Sequence, residues 1–225
     1  VRALARAIAA TGASFGALAL NREQLERVVA EITSRDGRAI ALEADVTDAA
    51  AVARGVDRTA QAFGGLDIVV ANAGISPAPS SLTESDPQQF QDTLNVNLFG
   101  VYATLRAAIP HLEKRGRGNV IVVGSGMGHK ASPNSAAYSS SKAAVWMLTR
   151  VLAEELRGRN ILVNELVPGP VDTSLSQPGV SNILRSNPDE WLKRPEDVVP
   201  LALFLATLPL KGPTGQSFSL ARREL

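Results

Sequence analysis

A doubly wound α/β domain, with a parallel sheet covered by helices on both faces, is the fold this sequence predicts. Three observations carry that reading. Apolar runs rich in Val and Ile recur along the chain and alternate with helical patterns. The runs are nearly continuous in apolar character, as in strands buried on both faces. The 225 residues, 45% hydrophobic, suffice for one core, and no linker or internal repeat divides them, so residues 1–225 read as one domain.

In chain order, Val1–Thr11 reads as an Ala-rich helix, with Arg2, Leu4, Arg6 and Ile8 in a helical rather than a strand pattern and Gly12 as its C-cap. The first strand candidate is Phe15–Leu20, followed by a helix over Arg22–Arg35. A second strand, Ala39–Ala44, leads to a helix over Ala49–Phe63 that Thr47 or Asp48 would cap. Strand Asp67–Ala71 precedes a long helix, Pro87–Arg115, and strand Asn119–Gly124 precedes another, Ser135–Arg157. Strand Ile161–Leu166, helix Pro195–Ala206 and strand Gln216–Leu220 complete the set. The polar stretch Ser174–Asn187, with Pro178-Gly179, reads as a loop or lid.

Composition excludes several function classes. A net charge of +1 offers no nucleic-acid or membrane surface. No apolar run is long enough to cross a bilayer. The first twenty residues carry Arg2, Arg6 and an Ala17-Leu18-Ala19 end like a signal peptide, but Thr11-Gly12 interrupts the apolar stretch. The chain has no cysteine, which removes disulfides and thiol chemistry and fits a cytoplasmic location. Its two histidines, His111 and His129, are too few for a histidine-rich metal site.

In sheets of this kind ligands lie beyond the carboxyl ends of the strands. Asp45, Asn72-Ala73-Gly74, Ser125 and Pro168-Gly169 all fall on that edge. Taken singly, each is a plausible turn or loop residue; together on one edge they mark a site. In AAYSSSKAAV, Tyr138 and Lys142 are four residues apart and so share one face of a helix. A free phenol has a pKa of roughly 10, and a neighbouring ammonium lowers it. A tyrosine tuned in this way exchanges a proton with an alkoxide or alcohol. Ser125 would hold the reacting oxygen by hydrogen bonding.

The combined motifs resemble the short-chain dehydrogenase/reductase family over nearly the whole chain, with a layout similar to 3-oxoacyl-carrier-protein reductases. They are DVTD at Asp45–Asp48, ANAG at Ala71–Gly74, NVNLFG at Asn95–Gly100, Ser125, YSSSK at Tyr138–Lys142, NELVPGPVDT at Asn164–Thr173, RPEDVV at Arg194–Val199 and TGQSFSL at Thr214–Leu220. The resemblance implies a Rossmann-like sheet and an NAD(P)-dependent enzyme interconverting a carbonyl and a secondary alcohol. It implies Tyr138 as general acid or base, Lys142 on the nicotinamide ribose, Ser125 on the substrate oxygen, and Asn97 anchoring a water of the proton relay. Asp45 and Val46 would contact the adenine; Asn72, Ala73 and Gly74 would line the cofactor. Pro168, Gly169, Val171 and Thr173 would cradle the carboxamide. Asn97 has a structural alternative, pinning a helix kink, and Asn164 reads as a structural strand-end residue.

The sequence departs from the family pattern at its start. TGASFGAL at Thr11–Leu18 partly matches the glycine turn that carries the pyrophosphate, but Leu18 stands where the last glycine belongs, and Asp45 lies only 33 positions beyond Gly12. The first strand and that turn are therefore absent from these residues, and a segment preceding Val1 in the natural protein is expected. The ANAG motif also differs, with Ala71 in place of the first asparagine of NNAG. Without an acid after Ala19-Leu20-Asn21, and with Arg22 nearby, the reading favours NADP over NAD, although Arg22 also suits a solvated first turn. A catalytically silent binding or scaffold protein on the same fold is the alternative; a nucleotide-sugar epimerase fits the length and the TGQSFSL ending poorly. The resemblance further implies a homodimer or homotetramer, formed through the two long helices, with Ala136, Ala137, Ala143, Ala144, Val145, Trp146 and Leu148 suited to close contact.

Overall fold

The structure is a computed structural model and describes residues 2–173, 175 and 190–222. Helix α1 (Arg2–Ala10) buries Ala5, Ile8 and Ala9 and ends at Gly12, whose φ of 87° is the left-handed cap conformation that glycine supplies without strain. Strand β1 (Phe15–Ala19), helix α2 (Arg22–Thr33), strand β2 (Ala39–Glu43) and helix α3 (Ala49–Phe63) come next. Asp48, rather than Thr47, caps α3 by accepting from the amides of Ala50 and Ala51 at 2.9 and 3.0 Å. Strand β3 (Ile68–Ala71) then leads to helix α4 (Pro87–Leu94).

The single long helix expected over Pro87–Arg115 is interrupted. A π-helical segment, Asn95–Phe99, separates α4 from helix α5 (Gly100–Arg115). Such wide turns commonly sit at functional sites, and this one contains the fully buried Asn97. Beyond α5 lie strand β4 (Gly118–Val123), a 3₁₀ turn (Gly126–Gly128), helix α6 (Ala136–Leu156) and strand β5 (Ile161–Val167). A 3₁₀ turn at Pro195–Val198, helix α7 (Val199–Ala206) and strand β6 (Ser217–Ser219) close the described chain. The expected lid, Ser174–Asn187, lies outside the described residues apart from Leu175.

All strand pairings are parallel, as the apolar runs predict, but they fall into two sheets. One contains β1 and β2; the other has the order β3-β4-β5-β6. Among the described residues no ladder joins β1 to β3, which is where the order 3-2-1-4-5-6 places its central strand. Helices hold the two parts together: α3 packs on both β1 and α5, and α1 on α7.

Period-two alternation along β4 sends Val120 and Val122 to one face, into a core with Leu105, Leu112, Val145, Ile161 and Val163. Ile121 points the other way, into a core with Leu162, Leu166, Ala202 and Leu205. Both faces are thus covered, and every residue of β5 is buried. Asn164, on that strand, donates to the Pro213 carbonyl at 2.8 Å and accepts from the Gln216 amide at 3.0 Å, which makes it the structural residue expected. The two face cores leave the carboxyl ends of β3, β4 and β5 side by side, and the candidate site is built there.

Candidate active site

Past the end of β4, Ser125 adopts an extended backbone and caps the 3₁₀ turn by accepting from the Met127 amide at 3.2 Å. The turn presses directly on α6. A Cβ on Gly128 would stand 2.7 Å from the Lys142 carbonyl carbon, so only glycine permits this approach. The close approach brings the Ser125 hydroxyl near enough to Tyr138 to act on its phenol. Lys142 lies one helical turn further on, its Nζ 5.9 Å from the centre of the Tyr138 ring. Lys142 is 4% exposed, and its ammonium donates to the Val123 carbonyl at 2.8 Å.

Asn97 braces this arrangement from the side. Its Nδ2 donates to the Ile75 carbonyl and to Ser141 Oγ, both at 2.9 Å, and its Oδ1 accepts from the Ile75 amide at 2.8 Å. Ser141 Oγ donates in turn to the Tyr138 carbonyl at 2.7 Å. The π segment is thereby tied both to the loop after β3 and to the helix bearing Tyr138. Gly74 completes the enclosure: a Cβ there would lie 3.2 Å from Asn97 Oδ1 and 3.8 Å from Lys142 Nζ.

The electrostatics differ from the sequence expectation. Burial pushes the Tyr138 phenol above its ordinary pKa, and the hydrogen bond from Ser125 is the opposing influence. Burial also acts on Lys142, bringing it from 10.5 down to about 8, opposed by the charge of Glu165. An ammonium with so weakened a hold on its proton is a weaker source of positive field for the phenol.

The remaining predicted residues lie in several places. Asn72, Ala73 and Gly74 form the loop leaving β3, beside Asn97 and Lys142. Pro168, Gly169, Val171 and Thr173 lie beyond β5; Gly169 has a φ of 69°, and Val171 bridges in parallel to Lys193. Asp45 serves its own turn, its Oδ1 accepting from both the amide and hydroxyl of Thr47 at 2.8 Å. Val46 packs against Gly100, where a Cβ would come within 2.8 Å of it. Arg22 pairs with Glu26 one turn along α2, at 2.7 Å on the surface, as its solvated reading expects. Thr11–Leu18 runs from helix into strand, the reverse of a phosphate-binding turn, which leads from strand into helix.

Among the described residues, two buried side-chain pairs have no counterpart among the sequence expectations. Glu165, fully buried in β5, accepts from His129 Nε2 at 2.9 Å. A charge inside the largely apolar ILVNELV is the available signal. Lys193, also fully buried, pairs with Glu190 at 3.0 Å and fixes the loop after β5, its backbone exchanging hydrogen bonds with Pro170 and Asp172. The face expected to suit helix pairing is partly internal: Val145 is fully buried in the core, and Trp146 stacks against His129 and Arg150.

The depressed Lys142 pKa has a stability consequence. Between about 8 and 10.5 the unfolded chain binds this proton more tightly than the folded one, so stability rises with pH across that window and the full penalty persists below it. At pH 7 the penalty is about 3 kcal/mol, less about 1 kcal/mol for the hydrogen bond to Val123. Lys142→Met is therefore expected to stabilise the fold by about 1–3 kcal/mol at pH 7, with the gain fading by pH 10. Urea denaturation of both proteins at the two pH values checks this.

Comparison with known proteins agrees with this geometry. The family model for short chain dehydrogenases matches residues 2–183. A short-chain type dehydrogenase/reductase of Picea abies is 36% identical over 223 residues, covering 92% of this chain and 82% of that protein. The crystal structure of a 3-oxoacyl-[acyl-carrier protein] reductase with bound NAD from Brucella melitensis superposes with a TM-score of 0.87 at 32% identity, covering 98% of this chain and 85% of that one. That of a short chain dehydrogenase from Burkholderia cenocepacia in complex with NADP gives 0.90 at 33% identity, covering 97% and 90%. Taken with the parallel sheet and the Ser125–Tyr138–Lys142 arrangement, these likenesses establish that the chain belongs to the short-chain dehydrogenase/reductase family of oxidoreductases.

Proposed function

We propose that this oxidoreductase interconverts a carbonyl compound and a secondary alcohol at the expense of a nicotinamide cofactor, with Tyr138 as general acid and base. The observation that carries the reading is the placement of Ser125 where it acts on the Tyr138 phenol at the carboxyl edge of the sheet, with the buried Lys142 one turn away. The donor set fits a ribose. Lys142 is nearly inaccessible to water, yet among the described residues one hydrogen bond, to Val123, uses only one of its three donors. A sugar diol supplies acceptors for the other two, and Gly74 keeps that side clear of a side chain.

A bound nicotinamide supplies the hydride and its two electrons. The chain supplies position and the proton. Ser125 holds the substrate oxygen by hydrogen bonding. In reduction Tyr138 gives its proton to that oxygen as the carbonyl carbon becomes saturated; in oxidation it takes the proton back. A phenol held protonated by burial suits the reductive direction. Lys142 passes a replacement proton inward. Asn97 has both amide hydrogens engaged, so it would anchor a water of this relay through the remaining lone pair of Oδ1. The loop from Pro168 through Val171 to Thr173 would hold the carboxamide, and Asp45 and Val46 the adenine.

NADP is the favoured cofactor in this reading. The relatives include structures with NAD and with NADP, so Arg22 carries the preference. Its pair with Glu26 lies on the surface, where solvent screens it, which leaves the guanidinium readily available to a 2′-phosphate. Assembly as a homodimer or homotetramer would use Phe99, Tyr102, Met147 and Val151, the exposed apolar side chains around α5 and α6.

Turnover of a panel of ketones with NADPH tests the reading. Tyr138→Phe should lower kcat by about 10²–10⁴-fold without unfolding the protein; full activity in that variant removes the mechanism. Wild-type protein inert towards every carbonyl offered would favour a binding or scaffold role. Separately, Arg22→Ala should weaken NADPH binding while leaving NADH unchanged. Equal losses for both cofactors would remove the assignment to NADP.

A further inference from the structure

Glu165 is a carboxylate in the middle of the molecule. It is fully buried in β5, on the face that packs against α6, and pairs in register with Val122 of β4. The backbone makes room for it: a Cβ on Gly124 would lie 1.8 Å from its Oε1, so the carboxylate lies directly against the end of β4. Its two oxygens have different surroundings. Oε2 accepts from His129 Nε2 at 2.9 Å and from Ser217 Oγ at 2.5 Å. Oε1 is buried with no hydrogen-bond partner among the described residues.

Lys142 is bound to the same short stretch of backbone. Its Nζ donates to the carbonyl of Val123, the residue before Gly124. Ammonium and carboxylate therefore flank the end of β4, both nearly free of water, and water screens an attraction between such charges little. From the elements packed around them, the other titratable or charged groups are His129 after the 3₁₀ turn, and Tyr138 and Arg150 on α6. Arg150 is occupied elsewhere, stacked on Trp146 and donating to the Gly215 carbonyl at 3.3 Å. His129 packs edge-on against Trp146 at 5.1 Å between ring centres, which fixes the imidazole that orients the carboxylate.

We propose that Glu165 is a positioning residue of the active site, a buried counter-charge that keeps Lys142 an ammonium and is itself held in place by His129 and Ser217. The proposal rests on the reading of Lys142 as the charged group of the site. It explains why a carboxylate is kept in a fully buried strand with one oxygen unpaired. That oxygen acts through its charge on Lys142 rather than through a hydrogen bond. Burial alone would strip Lys142 of its proton further, and Glu165 opposes that loss.

The test is the titration of Lys142 itself, read by carbon-13 NMR of ε-labelled lysine in the protein without cofactor or substrate, with the resonance assigned by Lys142→Arg. Glu165→Gln keeps the shape and removes the charge. The double variant Glu165→Ala/His129→Leu removes both partners and so leaves no unpaired buried charge should the single variant not fold. In either, the Lys142 midpoint should fall by about half a pH unit or more relative to wild type. The alkaline decline of kcat/KM for carbonyl reduction should move to lower pH with it. A midpoint unchanged from wild type in the folded variant overturns the proposal. Because the NMR readout needs no turnover, inactivity of the wild-type enzyme would count against the oxidoreductase mechanism and not against this pairing.

Discussion

The burial of one ammonium organises this site. Lys142 sits where water hardly reaches it, and a charge so placed must be accommodated by its neighbours or be lost. Three glycines mark the accommodation. Gly128 lets the turn after β4 rest on the backbone at Lys142, Gly74 leaves open space beside its Nζ, and Gly124 admits the Glu165 carboxylate. The same approach sets Ser125 against Tyr138. Stability and the proposed function pull in opposite directions here: Lys142 costs folding free energy at neutral pH, and the proposed proton transfer needs a proton-bearing group next to a phenol.

The fold serves this constraint by stacking parallel strands whose carboxyl ends converge. The segments leaving those ends build the site: β3 runs on into the loop to Gly74, β4 into the Ser125 turn, and β5 into Pro168–Thr173. Helix α6 runs alongside and supplies Tyr138 and Lys142. The π segment between α4 and α5 adds Asn97 as a brace. The half formed by β1 and β2 stands apart in hydrogen bonding and is joined through helix packing. It carries Arg22, to which the proposed cofactor preference is assigned, some distance in the chain from the proposed proton chemistry.

Much of this is legible in the sequence, for physical reasons. Strands buried on both faces leave Val- and Ile-rich runs, as in β3, β4 and β5, and the six described strands lie within two residues of the expected bounds at either end. A four-residue spacing on a helix is a contact whatever the fold, and it puts Tyr138 beside Lys142. Other features depend on distant packing and leave weaker traces. The π turn at Asn95–Phe99 has no compositional signature. Glu165 and His129 are 36 residues apart and meet only because β5 lies beside β4. The Tyr138 shift runs opposite to the sequence expectation because a neighbouring cation is visible in a sequence, whereas burial of the phenol and of that cation is not. Val145 reads as available for pairing between copies and proves to be core. His129 reads only as one of too few metal ligands, because its carboxylate partner lies on a distant strand.

The central claim is that burial, moderated by Ser125, governs the Tyr138 phenol in the protein alone. The chain has two tyrosines, so replacing the exposed Tyr102 by Phe leaves Tyr138 as the sole phenol. Ultraviolet difference titration of that protein measures it directly. The account predicts a midpoint above the ordinary value of roughly 10, moving higher still in Ser125→Ala. A midpoint at or below the ordinary value, unmoved by loss of the Ser125 hydroxyl, would contradict it.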